Sequence, residues 1–402
     1  MFIPRLLEPR IHELLAWFPV VNLTGPRQSG KSTLLKRCLP AYKYFNLEDS
    51  GLAEIVSADP LGFLRAQTEP IVLDEAQNAP ELFSAVQVVT DERDRPGQVV
   101  LSGSQNFLVA EKIGQSLAGR VGNLTLLPLS YRELNEAPVE LFALRAQENT
   151  HNKVQVNYRL DEFALAGGYP RLYNAGIPAK VYYENYVKTY LERDVSQFMN
   201  VTKINTFRRF VKLCALNTGN LLNATRMASE LDISFPTVKN WLSILESSYI
   251  ITLLYPWASN GCKTLTKTPK LYFNDTGLLC HLLGITDMAS FVLHKHAGAV
   301  YENLIIAETM KNYLHAGETP ELYFYRDDSK REVDLLDATG PDVRAIEIKS
   351  SSTFRSSHVR SLVNVSEELG IDPARRFLVN RGQYTLMQKG YQLISGRDFL
   401  TM

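Results

Sequence analysis

The sequence has no excess of charge of either sign: 43 Lys and Arg residues balance 43 Asp and Glu residues, for a formal net charge of zero. Such a chain cannot hold nucleic acid by bulk charge, so any contact of that kind must come from a local basic face. Cysteine is scarce, and the four present, Cys38, Cys214, Cys262 and Cys280, form no C-x-x-C pair. That spacing argues against a disulfide framework or a cysteine zinc site and fits a reducing, cytoplasmic compartment. Long apolar runs are missing as well. None approaches the ~18 residues of a membrane span, and the first residues lack the basic, apolar, small-residue order of a signal peptide. The expectation is a soluble, unprocessed protein with no membrane partner. Length is not scarce: 402 residues exceed what one hydrophobic core serves, so about two to four domains are expected.

The most informative stretch is Gly25-Pro26-Arg27-Gln28-Ser29-Gly30-Lys31-Ser32-Thr33. It fits the phosphate-loop template G-x-x-x-x-G-K-[ST], follows an apolar run at 18–23 and precedes a helix-like segment at 33–38, which is the strand, loop and helix order the template requires. The glycines let backbone N–H groups curl around phosphates, and the helix N-terminus adds partial positive charge. Lys31 reaches the β- and γ-phosphates, and Ser32 offers a hydroxyl to Mg²⁺.

An amphipathic entry helix within 1–17 precedes this loop, and strands are expected at 42–47 and 71–73 after it. The second of these delivers Asp74-Glu75 to its C-terminal end, the Walker B arrangement, with Asp74 holding Mg²⁺ and Glu75 polarising the attacking water. A further strand at 99–101 ends in Ser102-Gly103-Ser104-Gln105-Asn106, where Ser104 or Gln105 can sense the γ-phosphate; a plain Ser and Gly turn has nearly the same look. A helix at 107–117, Ala118-Gly119-Arg120 and a strand at 124–127 follow. Arg120 at the rim of the sheet suits an arginine finger reaching a neighbouring subunit, against the alternative of a surface arginine at a helix C-terminus.

Taken together, 25–33, Leu73-Asp74-Glu75-Ala76-Gln77, Ser102-Gly103-Ser104, Ser116-Leu117-Ala118-Gly119-Arg120 and Pro128-Leu129-Ser130-Tyr131-Arg132-Glu133 resemble the AAA+ ATPases that carry a C-terminal DUF4143 region. The resemblance runs along nearly the whole chain and implies ATP as substrate with Mg²⁺, and hydrolysis as the chemistry. It also makes Leu165-Ala166-Gly167-Gly168-Tyr169-Pro170-Arg171 similar to the lid element of related ATPases, with Pro170 and Arg171 as nucleotide contacts; a glycine-proline break between helices is the alternative.

Residues 221–245 have helix-turn-helix spacing, the second helix opening at a Ser234 cap with Pro236 in its first turn. Its outward side offers Thr237, Lys239 and Asn240, and two wing strands are expected at 248–254 and 268–273, with Lys263, Lys267 and Lys270 between and along them. Helix and wing suit a DNA groove and its phosphates, although such modules also bind proteins. Beyond residue 285, a helix at 298–315, three strands, a helix at 358–369 and a strand at 376–380 follow the order of the PD-(D/E)xK nuclease core. Glu302 falls on the first helix, Asp334 on the second strand, and Glu347 and Lys349, two apart, share one face of the third.

The expected architecture is α/β: an AAA+ core (1–150), a helical lid (151–203), a winged helix (204–284) and a nuclease-like domain (285–402). The expected activity is ATP hydrolysis by a homo-oligomer, a hexameric ring being one form, acting on DNA. The alternatives are a nucleotide-dependent protein-binding switch and an ATP-regulated, metal-dependent nuclease.

Overall fold

In the first part of the chain, short apolar runs alternate with helices, so the central strands are buried on both faces and must be covered twice. The computed structural model describes residues 2–104, 117–135, 158–194, 204–257, 267–353, 355 and 358–402. Residues 107–116 of the helix expected at 107–117, together with Gln105, Cys262 and Lys263, lie outside them. The chain divides into two units, one formed by Met1–Leu129, Ser247–Tyr249 and Leu314–Gly317, the other by Ser130–Glu246, Ile250–Tyr313 and Glu318–Met402.

The first unit holds a parallel sheet of β1 (Val20–Thr24), β2 (Lys43–Asn46), β3 (Ile71–Asp74), β4 (Val99–Gly103) and β5 (Val121–Thr125), in the order β2-β3-β4-β1-β5. Alternation along the strands fills both layers. Val20, Ile71, Leu73, Val99 and Leu101 pack on the helix Leu82–Arg93, while Val21, Leu23, Val72 and Val100 meet Leu7, Ile11, Leu34 and Leu35 from the helices Glu8–Trp17 and Lys31–Cys38. β4 lies between β1 and β3, so its C-terminal end separates the loop after β1 from the acidic end of β3. Ligands of open α/β sheets bind at such strand ends.

β5 starts three residues earlier than the apolar run at 124–127 suggests, with Val121 opposite Val20. As an edge strand it needs only one apolar side, so Asn123 is tolerated there and bonds Asn22 at 3.0 Å.

In the second unit, eight strands form one mixed sheet in the order β12-β13-β11-β10-β9-β8-β6-β7. They are β6 (Ile251–Pro256), β7 (Lys270–Phe273), β8 (Leu322–Arg326), β9 (Glu332–Asp337), β10 (Arg344–Lys349), β11 (Arg376–Asn380), β12 (Leu386–Gln388) and β13 (Tyr391–Ser395). β9 runs antiparallel to both β8 and β10, and β11 runs parallel to β10. The helix Ala297–His315 precedes β8, and Arg360–Glu368 links β10 to β11. The two strands expected as a wing are β6 and β7; they pair antiparallel, but β6 also pairs with β8, so the segments 204–284 and 285–402 share this sheet.

The helices Ala224–Leu231 and Phe235–Ser247 stand where the helix-turn-helix spacing predicts. Asn223 caps the first, accepting from the Arg226 N–H, and Ser234 caps the second, accepting from the Thr237 N–H at 3.2 Å. Trp241 packs edge-on against Phe207 and Phe210 of the helix Ile204–Leu216. The α-helix Ala179–Tyr186 continues as a π-helix over Val187–Asp194.

Gly25, which follows β1, has φ of +150°, and a Cβ there would lie 2.1 Å from the Leu126 carbonyl oxygen. Gly25→Ala is therefore expected to destabilise the first unit by about 2–4 kcal/mol through overpacking and backbone strain. Thermal unfolding should show the lower transition together with loss of nucleotide binding.

Candidate functional site

The loop after β1 turns into the helix Lys31–Cys38 through Gly30 at φ +99°, and no side chain caps that helix. Its first-turn N–H groups are thus open to an outside anion, with the helix dipole adding to the attraction. The Ser29 hydroxyl oxygen is buried without a hydrogen-bond partner, a second unmet polar group in the loop. Arg5, which the sequence reading passed over, steadies the loop from below. Its buried guanidinium donates to the Ser29 carbonyl and the Leu127 carbonyl, each at 2.7 Å. Pro26 is buried, Arg27 half-buried, and Gln28 and Thr33 exposed.

Lys31 is buried and donates to the carbonyls of Gly25 at 2.9 Å and Pro26 at 3.0 Å. Burial pushes its pKa down to about 8, with Arg27 adding to the fall and the Glu75 and Asp74 carboxylates opposing it. Two neutral carbonyls are weak partners for a buried ammonium, which leaves it in want of an anion.

Asp74 ends β3 at 3% exposure and is surrounded by hydroxyls. Ser32 donates to its Oδ2 at 2.6 Å, Tyr44 of β2 donates to the same oxygen, and Ser102 of β4 donates to Oδ1. Burial and this bond together hold the Tyr44 hydroxyl well above its usual range. Neither Tyr44 nor Ser102 was among the expected site residues. The one signal available was Ser102 at the end of an apolar strand; nothing local marks Tyr44.

Glu75 follows at φ +55°, an unusual conformation for a non-glycine residue and one that functional sites often retain. Its Oε2 accepts from Ser104 at 3.1 Å and from the Gln77 amide at 2.5 Å. The structure therefore brings Gly25, Lys31, Ser32, Asp74, Glu75 and Ser104 into one site at the C-terminal ends of β1, β3 and β4. The adjacent Ser32 hydroxyl and Asp74 carboxylate are the donor set a Mg²⁺ ion takes, and the uncapped helix with the unpartnered Ser29 hydroxyl fits a phosphate chain.

Arg120 lies elsewhere. It immediately precedes β5, at the N-terminal end of the sheet, and its guanidinium forks onto Asp91 of the helix Leu82–Arg93 at 2.5 and 2.9 Å. From that end of the strands it does not reach the site of its own chain.

In the second unit, Pro170 opens the short helix Pro170–Asn174 and Arg171 is exposed. The preceding glycines are explained by packing: a Cβ on Gly167 would meet the Tyr183 hydroxyl at 2.1 Å, and the Gly168 N–H donates to the buried Asp275 carboxylate at 2.7 Å. On the second helix of the helix-turn-helix, Lys239 and Asn240 are exposed, whereas the Thr237 hydroxyl is engaged with Ser234 at 2.8 Å. Lys267 is exposed. Lys270 is not a surface lysine: its side chain is 3% exposed, and its ammonium lies 2.5 Å from Glu332 and 3.3 Å from Glu302. Its strand is buried at every position, Lys270 included, which removes it from any phosphate-binding face.

Glu302, Asp334, Glu347 and Lys349 are brought together with Lys270 and Glu332. Lys349 lies 2.6 Å from Glu347 and 3.5 Å from Asp334, and Asp334 also accepts the Ile348 N–H at 2.8 Å. Tyr272 donates to Glu302 at 2.5 Å. Burial and the neighbouring Asp334 raise both the Glu302 and Glu347 carboxyls, the latter to about 8. Burial opposes the charge on Lys270 and Lys349, but the surrounding carboxylates outweigh it and both ammonium groups are held charged well above their usual range.

Two outcomes follow for the nucleotide site. A phosphate chain restores the Lys31 charge, so nucleotide binding should take up a proton above pH 8, where the free lysine is partly neutral, and affinity should fall as pH rises. Calorimetry in buffers of different ionisation enthalpy should show uptake near pH 9 and little at pH 6.5. Tyr44→Phe removes one donor competing with a cation for Asp74. It should lower the Mg²⁺ concentration for half-maximal nucleotide turnover about fivefold, the effect of roughly 1 kcal/mol of hydrogen bond.

Comparison with known proteins adds matches over separate parts of the chain. The chain is 29% identical to uncharacterized proteins of Mycobacterium tuberculosis and Mycobacterium bovis over 348 residues, which is 86% of this chain and 73% of each of those. Among solved structures, the Walker-type ATPase PABY2304 of Pyrococcus abyssi matches at 16% identity and a TM-score of 0.45, over 68% of this chain and 94% of that one. The RuvB Holliday junction branch migration motor of Thermotoga maritima matches at 14% identity and a TM-score of 0.29, over 61% and 88%. Residues 157–289 match a domain of unknown function, DUF8612. Residues 18–135 match the model of an AAA domain, and residues 297–397 match that of a second domain of unknown function, DUF4143.

Proposed function

We propose that this chain is an ATPase whose turnover is coupled to DNA held by its helix-turn-helix region. The observation that carries the ATPase reading is the convergence of an uncapped helix N-terminus, an anion-seeking Lys31 and the Ser32–Asp74 pair, with Glu75 alongside. A Mg²⁺ ion bound by Ser32 and Asp74 would supply charge neutralisation at the phosphates. The protein's own residues divide the remaining work. The loop amides and Lys31 hold and orient the phosphate chain. Glu75, steadied by Ser104 and Gln77, accepts a hydrogen bond from the attacking water and takes its proton.

DNA as partner rests on exposed Lys239, Asn240 and Lys267 around a capped second helix. One observation favours a second reading, a nucleotide-dependent protein-binding switch: Phe235, at the start of that helix, is 42% exposed beneath the Lys239 ammonium, an apolar anchor of the kind protein interfaces use. A homo-oligomer follows if Arg120 leaves Asp91 and acts on the site of a neighbouring copy. A cytoplasmic location accords with these readings. Among the described residues, no helix is long and apolar enough to cross a membrane.

Lys31→Ala should abolish nucleotide binding, while Glu75→Gln should retain bound ATP and lower turnover by about 10²- to 10⁴-fold, the usual contribution of a general base. ATPase rates with and without single-stranded, duplex and four-way DNA, measured with mass in solution, separate the partner readings. Stimulation lost in Lys239→Glu supports DNA; rates indifferent to every DNA form reject it and leave the switch.

A further inference from the structure

The fold order around Glu302, Asp334, Glu347 and Lys349 leads one to expect a divalent cation among the carboxylates. Helix, three antiparallel strands, helix and a parallel fourth strand are all present, and the four residues stand on the predicted elements. The side chains are arranged otherwise. Among the described residues, no three carboxylate, imidazole or thiolate groups are placed to hold a metal ion. The reason is visible in the ion pairs. Lys270 bridges Glu332 at 2.5 Å and Glu302 at 3.3 Å, Lys349 bridges Glu347 at 2.6 Å and Asp334 at 3.5 Å, and Arg326 reaches the second oxygen of Glu332 at 2.9 Å. Each of the four carboxylates already faces a side-chain cation. The Glu347 Oε2 is the one oxygen of that carboxylate left without a partner.

Lys270 makes the difference. It comes from β7, which lies outside the helix and three strands that carry the other residues, and enters the cluster because β7 pairs with β6 and β6 with β8. Its approach is built in. The Tyr272 hydroxyl, two residues along the same strand face, fixes the Glu302 oxygen that Lys270 also contacts, and Gly219, whose N–H donates to the Leu271 carbonyl, lies beside Glu302, where a Cβ would meet the carboxylate at 3.6 Å. A buried ammonium held by two carboxylates supplies the compensating charge that a cation would otherwise bring.

We infer that Lys270 takes the place of a divalent cation in this cluster, so that the domain holds its carboxylates by lysine ion pairs and binds no Mg²⁺ or Mn²⁺ there. The fold of a metal-dependent nuclease would then be retained without its metal, and the Lys270 ion pairs would lock β7 to Glu302 and to β9.

The test is Mn²⁺ uptake by the whole 402-residue chain without nucleotide, followed by electron paramagnetic resonance of the free ion, in an Asp74→Asn background that removes the carboxylate of the Ser32–Asp74 cation site. The unmodified cluster and its Asp334→Asn variant should take up equally little Mn²⁺. Lys270→Met should gain a site at least about tenfold tighter, and Asp334→Asn added to it should abolish that site. Mn²⁺ bound by the unmodified cluster and lost on Asp334→Asn overturns the inference, as does a folded Lys270→Met protein that gains no site. Should Lys270→Met fail to fold, the comparison of the unmodified cluster with Asp334→Asn decides alone.

Discussion

A carboxylate buried at the end of a strand has to be answered by donors, and Asp74 is answered from three directions. Ser32 belongs to the helix after the phosphate loop, Tyr44 to β2 and Ser102 to β4. These elements flank or follow β3 only because the sheet runs β2-β3-β4-β1-β5, with β4 inserted between the loop-bearing strand and the acidic one. The strand order and the site are thus one constraint. A different order would leave the Asp74 charge uncompensated in a dry position, at a cost of several kcal/mol if unpaired. The same donor set also makes the site responsive. Hydroxyls satisfy the carboxylate without neutralising it, so a cation can displace them.

How much of this could be read from the sequence depends on how local each relationship is. Lys31, Ser32, Asp74 and Glu75 were legible because their chemistry is tied to a contiguous motif or to the end of an apolar strand. Tyr44, Arg5 and Ser102 act across strands and loops, and no spacing rule connects position 44 to position 74. The boundaries of β5 were misread because Leu124, Leu126 and Leu127 look like a strand, whereas edge pairing with β1 sets its start at Val121. In the glycine-rich stretch before Pro170, the sequence showed that a turn was needed but not what filled it, namely Tyr183 and the buried Asp275. The order of elements around Glu302 and Glu347 was read with little error, since alternation and helical periodicity are local signals.

The reading of Lys270 failed for a more general reason. In a sequence, a lysine between two turn-like segments registers as surface charge, because lysines are seldom buried. Burial is allowed when carboxylates come with it, and those carboxylates, Glu302 and Glu332, lie 30 or more positions away. Once the strand bearing Lys270 is part of the C-terminal sheet, the basic face expected of a wing loses a member and the acidic cluster gains a counter-ion. One side chain therefore changes the expected chemistry of two regions at once.

The two buried lysines show how the same group is set to opposite purposes by its partners. Lys31 is enclosed with two peptide carbonyls in contact, and desolvation prevails, lowering its pKa to about 8. Lys270 is enclosed with carboxylates in contact, and their attraction prevails over an equally real desolvation cost, raising its pKa. The first is an incomplete ion pair that an incoming phosphate completes, so its energy is available for binding. The second is complete before any ligand arrives, so its energy is already committed to holding β7 against the helix Ala297–His315 and β9. A cluster of the second kind stabilises a junction between segments, while a site of the first kind recruits a substrate, and the distinction rests on whether the nearest oxygens carry charge.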